Sequence, residues 1–449
     1  MAFPTPASPA APEPTGPSGR RGARTAVALL LAINLFNYVD RTVLASVESL
    51  IRGHFQVSPT ATGWLATAFF VSYMVFSPLF GWLGDRYRRW LLVAVGVIIW
   101  SLASGGSGLA PTFAVMLLTR CLVGIGEAAY GPVAPTIISD LYPVERRGSV
   151  LAWFYLAIPV GSAIGYVVGG HVASATGNNW RAPFYVVVIP GILLGVWALF
   201  MPEPTRGHAS HADAGKRKVN YLDLLRNRSY VLDCAGMTAM TFGIGGMSFW
   251  MPTYIYEFRL DKAVDIGKVN TIFGGVTVVA GIIATLLGGW VGDRLRTRFP
   301  GSYFLVSGFG LLAGFPMLLG VLYLPFPWAW VFVFLAEFCL FFNTGPSNTI
   351  LANVTQPSIR ATAFAVNILI IHALGDVISP PIIGWIAKRA NMNVAFMFVG
   401  VTFLVGGVLW LWGARYLAED TRRASEAEAP AGGFEVLPAA AASPGSPTS

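Results

Sequence analysis

Gly81-Trp82-Leu83-Gly84-Asp85-Arg86 returns as Gly289-Trp290-Val291-Gly292-Asp293-Arg294, 208 positions further along the chain. Five of the six residues are identical, and each copy closes a long apolar run and opens a basic one. The repeat makes the chain a tandem of two related membrane halves, each with the same short basic loop after its second span. Secondary carriers are assembled in this way, as two helix bundles that rock about a site lying between them.

Composition supports the membrane reading. Of 449 residues, 55% are hydrophobic and only 12% are charged, which is too apolar for a soluble domain. Runs of about 20 apolar residues match the hydrocarbon thickness of a bilayer. Twelve are expected, at about residues 25–50, 60–84, 90–110, 112–140, 147–174, 181–201, 229–258, 265–293, 301–324, 326–354, 360–388 and 393–417. A backbone in lipid must satisfy its polar groups within its own segment, so these spans are helices. The expected fold is an all-α membrane protein with twelve transmembrane helices in two pseudo-symmetric six-helix bundles. The bundles cover 25–201 and 229–417, joined by a cytoplasmic linker at 202–228. Residues 1–24 and 418–449, rich in Pro, Ala and Ser over much of their length, are expected to be disordered cytoplasmic ends.

Charge sets the orientation. With both termini in the cytoplasm, 21 Lys and Arg fall in the termini and inward loops, 7 in the outward loops, and Arg41 and Arg120 within spans. That asymmetry obeys the positive-inside rule and places a multi-pass protein in the plasma or inner membrane. The net charge of +8 is thereby mostly a topology signal, and no basic stripe on a folded face points to nucleic acid. Cys121, Cys234 and Cys339 fall inside spans without metal or disulfide spacing, so small apolar packing is expected of them. In the linker, Lys216-Arg217-Lys218 is followed by Tyr221-Leu222-Asp223-Leu224-Leu225-Arg226, a candidate surface helix or a plain tether.

Glycine and proline are distinctively placed. Gly161, Gly165 and Gly169 put three glycines at spacing four on one face of the fifth span, which lets two helix backbones approach closely. Pro78, Pro132, Pro135, Pro346, Pro380 and Pro381 sit in other spans as possible bending points.

Ionised side chains at mid-bilayer cost about 2.5–3.5 kcal/mol each on insertion scales, so a cluster of them needs a reason. The first span holds Asn34, Asn37, Tyr38, Asp40 and Arg41. Asp40 and Arg41 point about 100° apart on a helix and are expected to serve different partners. The fourth span holds Arg120 and Glu127 on one face, with Gly124 and Gly126 expected to leave their surroundings open. A buried carboxylate takes up or releases a proton as its solvation and its cation change, so Asp40 and Glu127 are candidates for proton coupling. Arg41 and Arg120, with Asn37 and Tyr38, are candidates for binding an anionic substrate group. A permanent structural salt-bridge lattice is the alternative.

In the second half, His372 and Asp376 lie one helical turn apart, as a secondary proton site or a locally satisfied pair, and Glu337 is an isolated carboxylate. Met247 to Met251 and Phe334, Phe338, Phe341 and Phe342 make that half aromatic and sulfur-rich where the first is charged. If they line a cavity, a greasy wall faces a charged one, which suits an amphiphile.

The Gly-Trp-x-Gly-Asp-Arg element followed by Arg88 and Arg89 resembles the signature loop of the major facilitator superfamily. Asn37-Tyr38-Val39-Asp40-Arg41, Arg120 to Ala128, Ala157 to Ser162 with Gly165-Tyr166, Asn227 to Leu232, and His372 to Asp376 with Ser379-Pro380 resemble the Spinster family of lysolipid and sphingolipid carriers. The resemblance implies the major facilitator fold, alternating access, proton linkage, and cargo such as sphingosine-1-phosphate-like lipids or lysophospholipids. It assigns the site to Asp40, Arg41, Arg120 and Glu127. It also implies a cytoplasmic latch built from Gly81, Gly84, Asp85, Arg86 and Arg89, with Asp293 and Arg294 acting correspondingly in the second half. Energy is expected from a proton gradient with no bound cofactor or metal, and the expected partners are an amphipathic lipid substrate and membrane lipids, the protein acting as a monomer.

Two other readings stay open. A carrier of small organic anions or drugs would have a polar second-half wall. A membrane enzyme or receptor would need a metal cluster, a nucleophile with its base or a phosphate-cradling loop, and a channel would need a selectivity filter; none is apparent in the sequence.

Overall fold

In the computed structural model, which describes residues 17–142, 144–204, 221–356 and 359–426, each expected span is helical. The first half contains α1 (Pro17–Ser46), α2 (Glu48–Phe55), α3 (Pro59–Arg86), α4 (Arg89–Leu109), α5 (Phe113–Ala128), α6 (Ala134–Leu141), α7 (Val144–Ala175) and α8 (Ala182–Leu199). After α9 (Tyr221–Arg226), the second half contains α10 (Arg228–Thr253), α11 (Ile266–Arg296), α12 (Ser302–Tyr323), α13 (Trp328–Phe341), α14 (Thr344–Val354), α15 (Arg360–Ile371), α16 (Ser379–Arg389) and α17 (Met392–Gly413), and α18 (Leu417–Glu426) follows. π-helical turns continue α10 over Tyr254–Arg259 and join α15 towards α16 over His372–Asp376. The two copies of the repeat end α3 and α11, at the same place in each half.

Among the described residues, ten segments are long and apolar enough by themselves to cross a bilayer. The remaining two expected spans are weaker for visible reasons. The fourth is interrupted between α5 and α6, where Pro132 and Pro135 lack the N–H that would continue the helix. The seventh, α10, is diluted by Asp233 and by repeated Gly and Thr. The tenth span breaks between Phe341 and Thr344, just before Pro346, and α16 starts on Ser379-Pro380-Pro381. Pro132, Pro135, Pro346, Pro380 and Pro381 thus lie where helices are cut, whereas Pro78 sits inside the unbroken α3.

Four sequence expectations are corrected. The first span ends at Ser46, short of residue 50, and a separate helix α2 begins at Glu48. Helix α1 starts at Pro17, so residues 17–24 form its first turns and are not a disordered end; proline suits a first helical position. Residues 417–426 form α18, with Glu419 and Asp420 in its first turn against the helix dipole. That helix is tied back by Asp420, whose Oδ2 accepts the Ser229 backbone N–H at 3.0 Å. Finally, the surroundings of Gly124 and Gly126 are filled. A Cβ at Gly124 would strike the Phe69 carbonyl oxygen and the Ser72 hydroxyl in α3, and one at Gly126 would lie 2.7 Å from the Trp100 backbone nitrogen in α4. These glycines seat helices. Residues 1–16, 205–220 with Lys216-Arg217-Lys218, and 427–449 lie outside the described residues.

The glycine face of the fifth span does what its spacing implies. Gly161, Gly165 and Gly169 of α7 press on Leu35, Val39 with Thr42, and Ser46 of α1, where any Cβ would collide. The Thr42 hydroxyl donates to the Ser162 carbonyl at 3.0 Å across this seam.

The halves meet along α7–α11 and α3–α16, mainly near the face remote from the termini. A Cβ at Gly63 would come within 2.7 Å of the Pro380 backbone, and one at Gly170 within 2.7 Å of Asn270. Asn270 Nδ2 donates to the Ser46 carbonyl at 3.1 Å. At the same end Glu48, only 1% exposed, accepts the Thr62 hydroxyl at 2.6 Å and, across the halves, the Thr253 hydroxyl at 2.9 Å. Arg52, one turn along α2, ion-pairs with Glu257 of the second half, which also lies 3.5 Å from Lys262.

The seam makes a stability prediction. Gly165→Leu should cost about 1–3 kcal/mol or more through overpacking against Val39 and Thr42. Gly275→Ala, on α11 with no atom within 4 Å of its Cβ position, should change stability little. Thermal unfolding in detergent checks the pair; an unchanged melting temperature for Gly165→Leu would remove the close α1–α7 contact.

Candidate functional site

Helix α1 carries both charges of the first span because successive residues on a helix diverge by about 100°. Arg41 turns toward α5 and the space between the halves; Asp40 turns toward α4. Arg41 Nε and Nη2 each lie 2.7 Å from Oε2 of Glu127, which is fully buried. Three rings, Tyr38, Phe69 and Tyr73, surround the guanidinium at 4.8, 4.9 and 5.4 Å. A cation held among aromatic faces and against one carboxylate oxygen is compensated without water. The other oxygen of Glu127, Oε1, is buried with no hydrogen-bond partner among the described residues.

Asp40, 2% exposed, accepts a hydrogen bond from Ser104 of α4 on Oδ1, while Oδ2 has no hydrogen-bond partner among the described residues. Arg120, also 2% exposed, donates from Nη2 to Ser107 at 3.0 Å and sits 5.7 Å from the Phe184 ring centroid. Among the described residues no carboxylate lies within 4 Å of Arg120, although Asp40 and Glu127 are its nearest charges in effect. In place of the four-charge lattice held open as the alternative, there is one contact pair, Arg41–Glu127, with Asp40 and Arg120 each bonded to its own serine. Ser104 and Ser107, both fully buried, are partners that sequence reading missed, since a serine in a span carries no visible signal.

Two neighbouring spaces adjoin this cluster. A cavity of about 280 Å³ lies between the halves, with Tyr38, Arg41, Phe69, Phe70 and Arg120 on the first-half wall. Ile244, Ser248, Phe249, Thr277, Phe341, His372 and Asp376 line the second-half wall. A smaller pocket of about 100 Å³ within the first half holds Asn37, Glu127, Tyr73 and Tyr130, and shares Tyr38, Arg41 and Ile158 with the larger one. Asp40 lines neither; it stands behind Arg120.

The second-half wall is more mixed than its aromatic sequence led us to expect. Phe249 and Phe341 face the cavity, whereas Met247, Trp250 and Met251 are buried in the core and Phe334 stacks on Phe338. His372 Nδ1 lies 2.9 Å from Asp376 Oδ2, a locally satisfied pair. The π-helical turn between α15 and α16 brings both residues to the cavity, and the His372 ring stacks on Phe70 of the other half at 6.3 Å. Glu337 of α13 is 7% exposed, and its Oε1 lies 2.9 Å from the Thr277 hydroxyl oxygen.

The repeated loops lie far from these spaces, at the ends of α3 and α11. A Cβ at Gly84 would sit 3.0 Å from Val133, so α3 rests on the α5–α6 break, whereas Gly81 is looser. Asp85 is exposed, and Arg86 lies 3.9 Å over the Trp82 ring. Arg89 is 5% exposed and ion-pairs with Asp140 at 2.6 Å and Glu203 at 2.8 Å, gathering α4, α6 and the end of α8 within the first half. Asp293 accepts the Tyr303 hydroxyl at 2.8 Å, and Arg294 lies 5.7 Å from the Trp290 ring.

Comparison with known proteins matches this architecture. A profile of the Major Facilitator Superfamily covers residues 30–375. Protein spinster homolog 3 of Danio rerio is 36% identical over 435 residues, covering 89% of this chain and 86% of that protein. Human protein spinster homolog 1 is 35% identical over 443 residues, covering 89% and 82%. Drosophila melanogaster protein spinster is 38% identical over 375 residues, though the chain spans only 61% of its length. Among solved structures, a bacterial homolog to the human lysosomal transporter Spinster, in an inward-facing and unoccupied conformation, superposes with a TM-score of 0.73 at 21% identity, over 90% of this chain and 98% of that one. A D-xylose-proton symporter reaches 0.67 at 18% identity, over 86% and 96%, which speaks to fold alone. Two repeated six-helix halves around a charged central cavity, with relatives of this identity along most of the chain, make this protein a Spinster-related member of the major facilitator superfamily: a multi-pass membrane transporter and not an enzyme.

Proposed function

We propose that the protein is a proton-coupled carrier of amphipathic lipids with an anionic head group, working by alternating access. The observation that carries this reading is the central cavity, where Arg41 and Arg120 face Phe69, Phe70, Ile244, Phe249 and Phe341 in one space. Two guanidinium groups offer forked hydrogen bonds to a phosphate, and the aromatic and aliphatic surface takes the start of an acyl tail. Sphingosine-1-phosphate-like lipids and lysophospholipids have this chemistry.

The Arg41–Glu127 pair supplies the coupling. An anionic head group that engages Arg41 competes with Glu127 for the same cation. A carboxylate left buried without its partner is neutralised most cheaply by a proton, since breaking a buried pair costs about 3–5 kcal/mol. Cargo and proton are then loaded together. Asn37 and Tyr38 orient the pair, and Asp40 acts on Arg120 from behind. The cross-half contacts crowd the face remote from the termini, so the cavity is read as open toward the side of the termini, which charge asymmetry assigns to the cytoplasm. Glu48, Arg52, Thr253 and Glu257 then close the opposite side. In the outward-facing state the loops carrying Asp85, Arg86 and Arg89, with Asp293 and Arg294, close the cytoplasmic side. The protein works in this reading as a monomer in the cell membrane, driven by a proton gradient.

A second reading has its own support. Ser248, Thr277, His372 and Asp376 give the second-half wall a polar strip, which suits a small organic anion.

Three experiments test the proposal. Glu127→Gln should abolish uptake of sphingosine-1-phosphate or a lysophospholipid driven by a pH gradient in proteoliposomes, with the protein still folded; intact coupling would remove Glu127 from the proton role. Arg120→Ala should weaken binding of phosphate-headed lipids at least tenfold, about 1.4 kcal/mol, with little effect on neutral analogues. Equal losses would argue against head-group recognition, and tight binding of sugar acids alone would favour the second reading. Spin labels at positions 56 and 263 should move apart when Arg52→Ala is combined with Thr253→Ala. An unchanged distance distribution would show that these residues do not hold that end shut.

A further inference from the structure

The Thr277 hydroxyl has more neighbours than it has hydrogens. Its Oγ1 lies 2.9 Å from the Phe273 carbonyl oxygen and 2.9 Å from Oε1 of Glu337. A threonine hydroxyl donates one hydrogen and accepts on its lone pairs. Against two pure acceptors, a carbonyl and an ionised carboxylate, its single hydrogen would be divided between them. Both contacts are hydrogen bonds together if Thr277 donates to Phe273 and Glu337 donates to Thr277, which requires a proton on the carboxyl group.

The surroundings of Glu337 agree. It is 7% exposed, its Oε2 has no hydrogen-bond partner, and among the described residues no cation lies within 4 Å of it. An ionised carboxylate in that setting would bear the full cost of burial, whereas a neutral acid has one carbonyl oxygen left over. The neighbouring helices bring nothing to offset a negative charge. On α11 the charged residues Lys268, Asp293, Arg294 and Arg296 sit near the ends, α12 holds no charged residue, and the charges of α10 are Arg228 and Asp233 near its start. From α7 the titratable neighbour is Tyr166, which packs on Phe273 at 5.0 Å and donates to the Ser248 carbonyl at 2.6 Å.

We infer that Glu337 is a proton-binding site of the second half, loaded in this conformer and connected to the central cavity through the Thr277 hydroxyl, which lines that cavity. The site rests on the carrier reading for its purpose but not for its occupancy. Its exit route lies at the α7–α11 seam between the halves. Separation of Tyr166 from Ser248 as the halves rock admits water to Thr277 and lets the proton leave. The transporter then carries a titratable carboxyl in each half, Glu127 compensated by Arg41 and Glu337 compensated by its own proton.

The test reads the carboxyl group directly. Infrared spectra of the purified protein at neutral pH should contain the carbonyl stretch of a protonated carboxyl. That band should be lost in Glu337→Gln, shifted in Glu337→Asp, and retained in Glu127→Gln. In Thr277→Val it should persist but exchange more slowly on transfer to heavy water. Because glutamine mimics the protonated acid, Glu337→Gln should keep the parent melting temperature. A band unaltered in both Glu337→Gln and Glu337→Asp, or a parent spectrum without one, would overturn the inference. In proteoliposomes offered sphingosine-1-phosphate, Glu337→Gln should keep uptake while lowering its dependence on the pH gradient at least severalfold; an unchanged dependence would overturn the coupling role. A parent protein that moves none of this lipid would count against the proposed cargo and leave the infrared result standing.

Discussion

Arg41 and Glu127 hold one another in the middle of an apolar protein, and the rest of the site is arranged around the cost of that. One carboxylate oxygen takes both guanidinium contacts at 2.7 Å, while the other makes no hydrogen bond among the described residues. Deep in hydrocarbon such a pair is tolerated because each charge cancels the other and three aromatic rings close over the cation. It is not sealed off. Arg41 belongs to the central cavity and Glu127 to the small pocket beside it. In the proposed cycle an incoming anion reaches the cation first and unbalances the carboxylate second, which joins cargo recognition to proton chemistry at a single guanidinium.

The packing that presents this pair is made of glycine. Gly161, Gly165 and Gly169 bring α7 against α1, and Gly124 and Gly126 bring α5 against α3 and α4. With these backbones in contact, Arg41 and Glu127 meet without long side-chain reach, and little rotamer freedom remains to be lost when they pair. The second half is built differently. Its polar groups reach the cavity through irregular backbone, the π-helical turn at His372–Asp376, and through Thr277 on α11. One half therefore offers a fixed cation and the other an adaptable wall, an asymmetry that suits a cargo with one charged end.

The architecture was legible because it follows from local rules. Apolar runs of bilayer length, a repeated loop and the spacing of three glycines decide spans, halves and one helix contact without knowledge of the tertiary fold. The divergence of Asp40 and Arg41 likewise follows from helix geometry, and they do find different partners, Ser104 and Glu127. What escaped depends on contacts between distant segments. Glu48 and Arg52 were read as the tail of a span and an outward loop, although their spacing of four was visible; their partners Thr253 and Glu257 lie some 205 residues away. Gly124 and Gly126 were read as space because a missing side chain looks like room in a sequence and is filled by a neighbouring helix in the fold. Which of the second-half aromatics reach the cavity stayed open, since a run of aromatics does not say which faces point inward; Phe249 and Phe341 do, and Trp250 is packed in the core. Thr277 gave no sign at all, one threonine among many, until its two acceptors were seen together.

The claim that cargo and proton meet at Arg41 is tested most directly by counting protons on binding. Purified protein in weak buffer should take up protons when sphingosine-1-phosphate is added, seen as a pH change or as a binding heat that scales with the ionisation enthalpy of the buffer. Glu127→Gln should bind the lipid without that uptake. Binding with no proton exchanged in the parent protein, or the same exchange in Glu127→Gln, would contradict it.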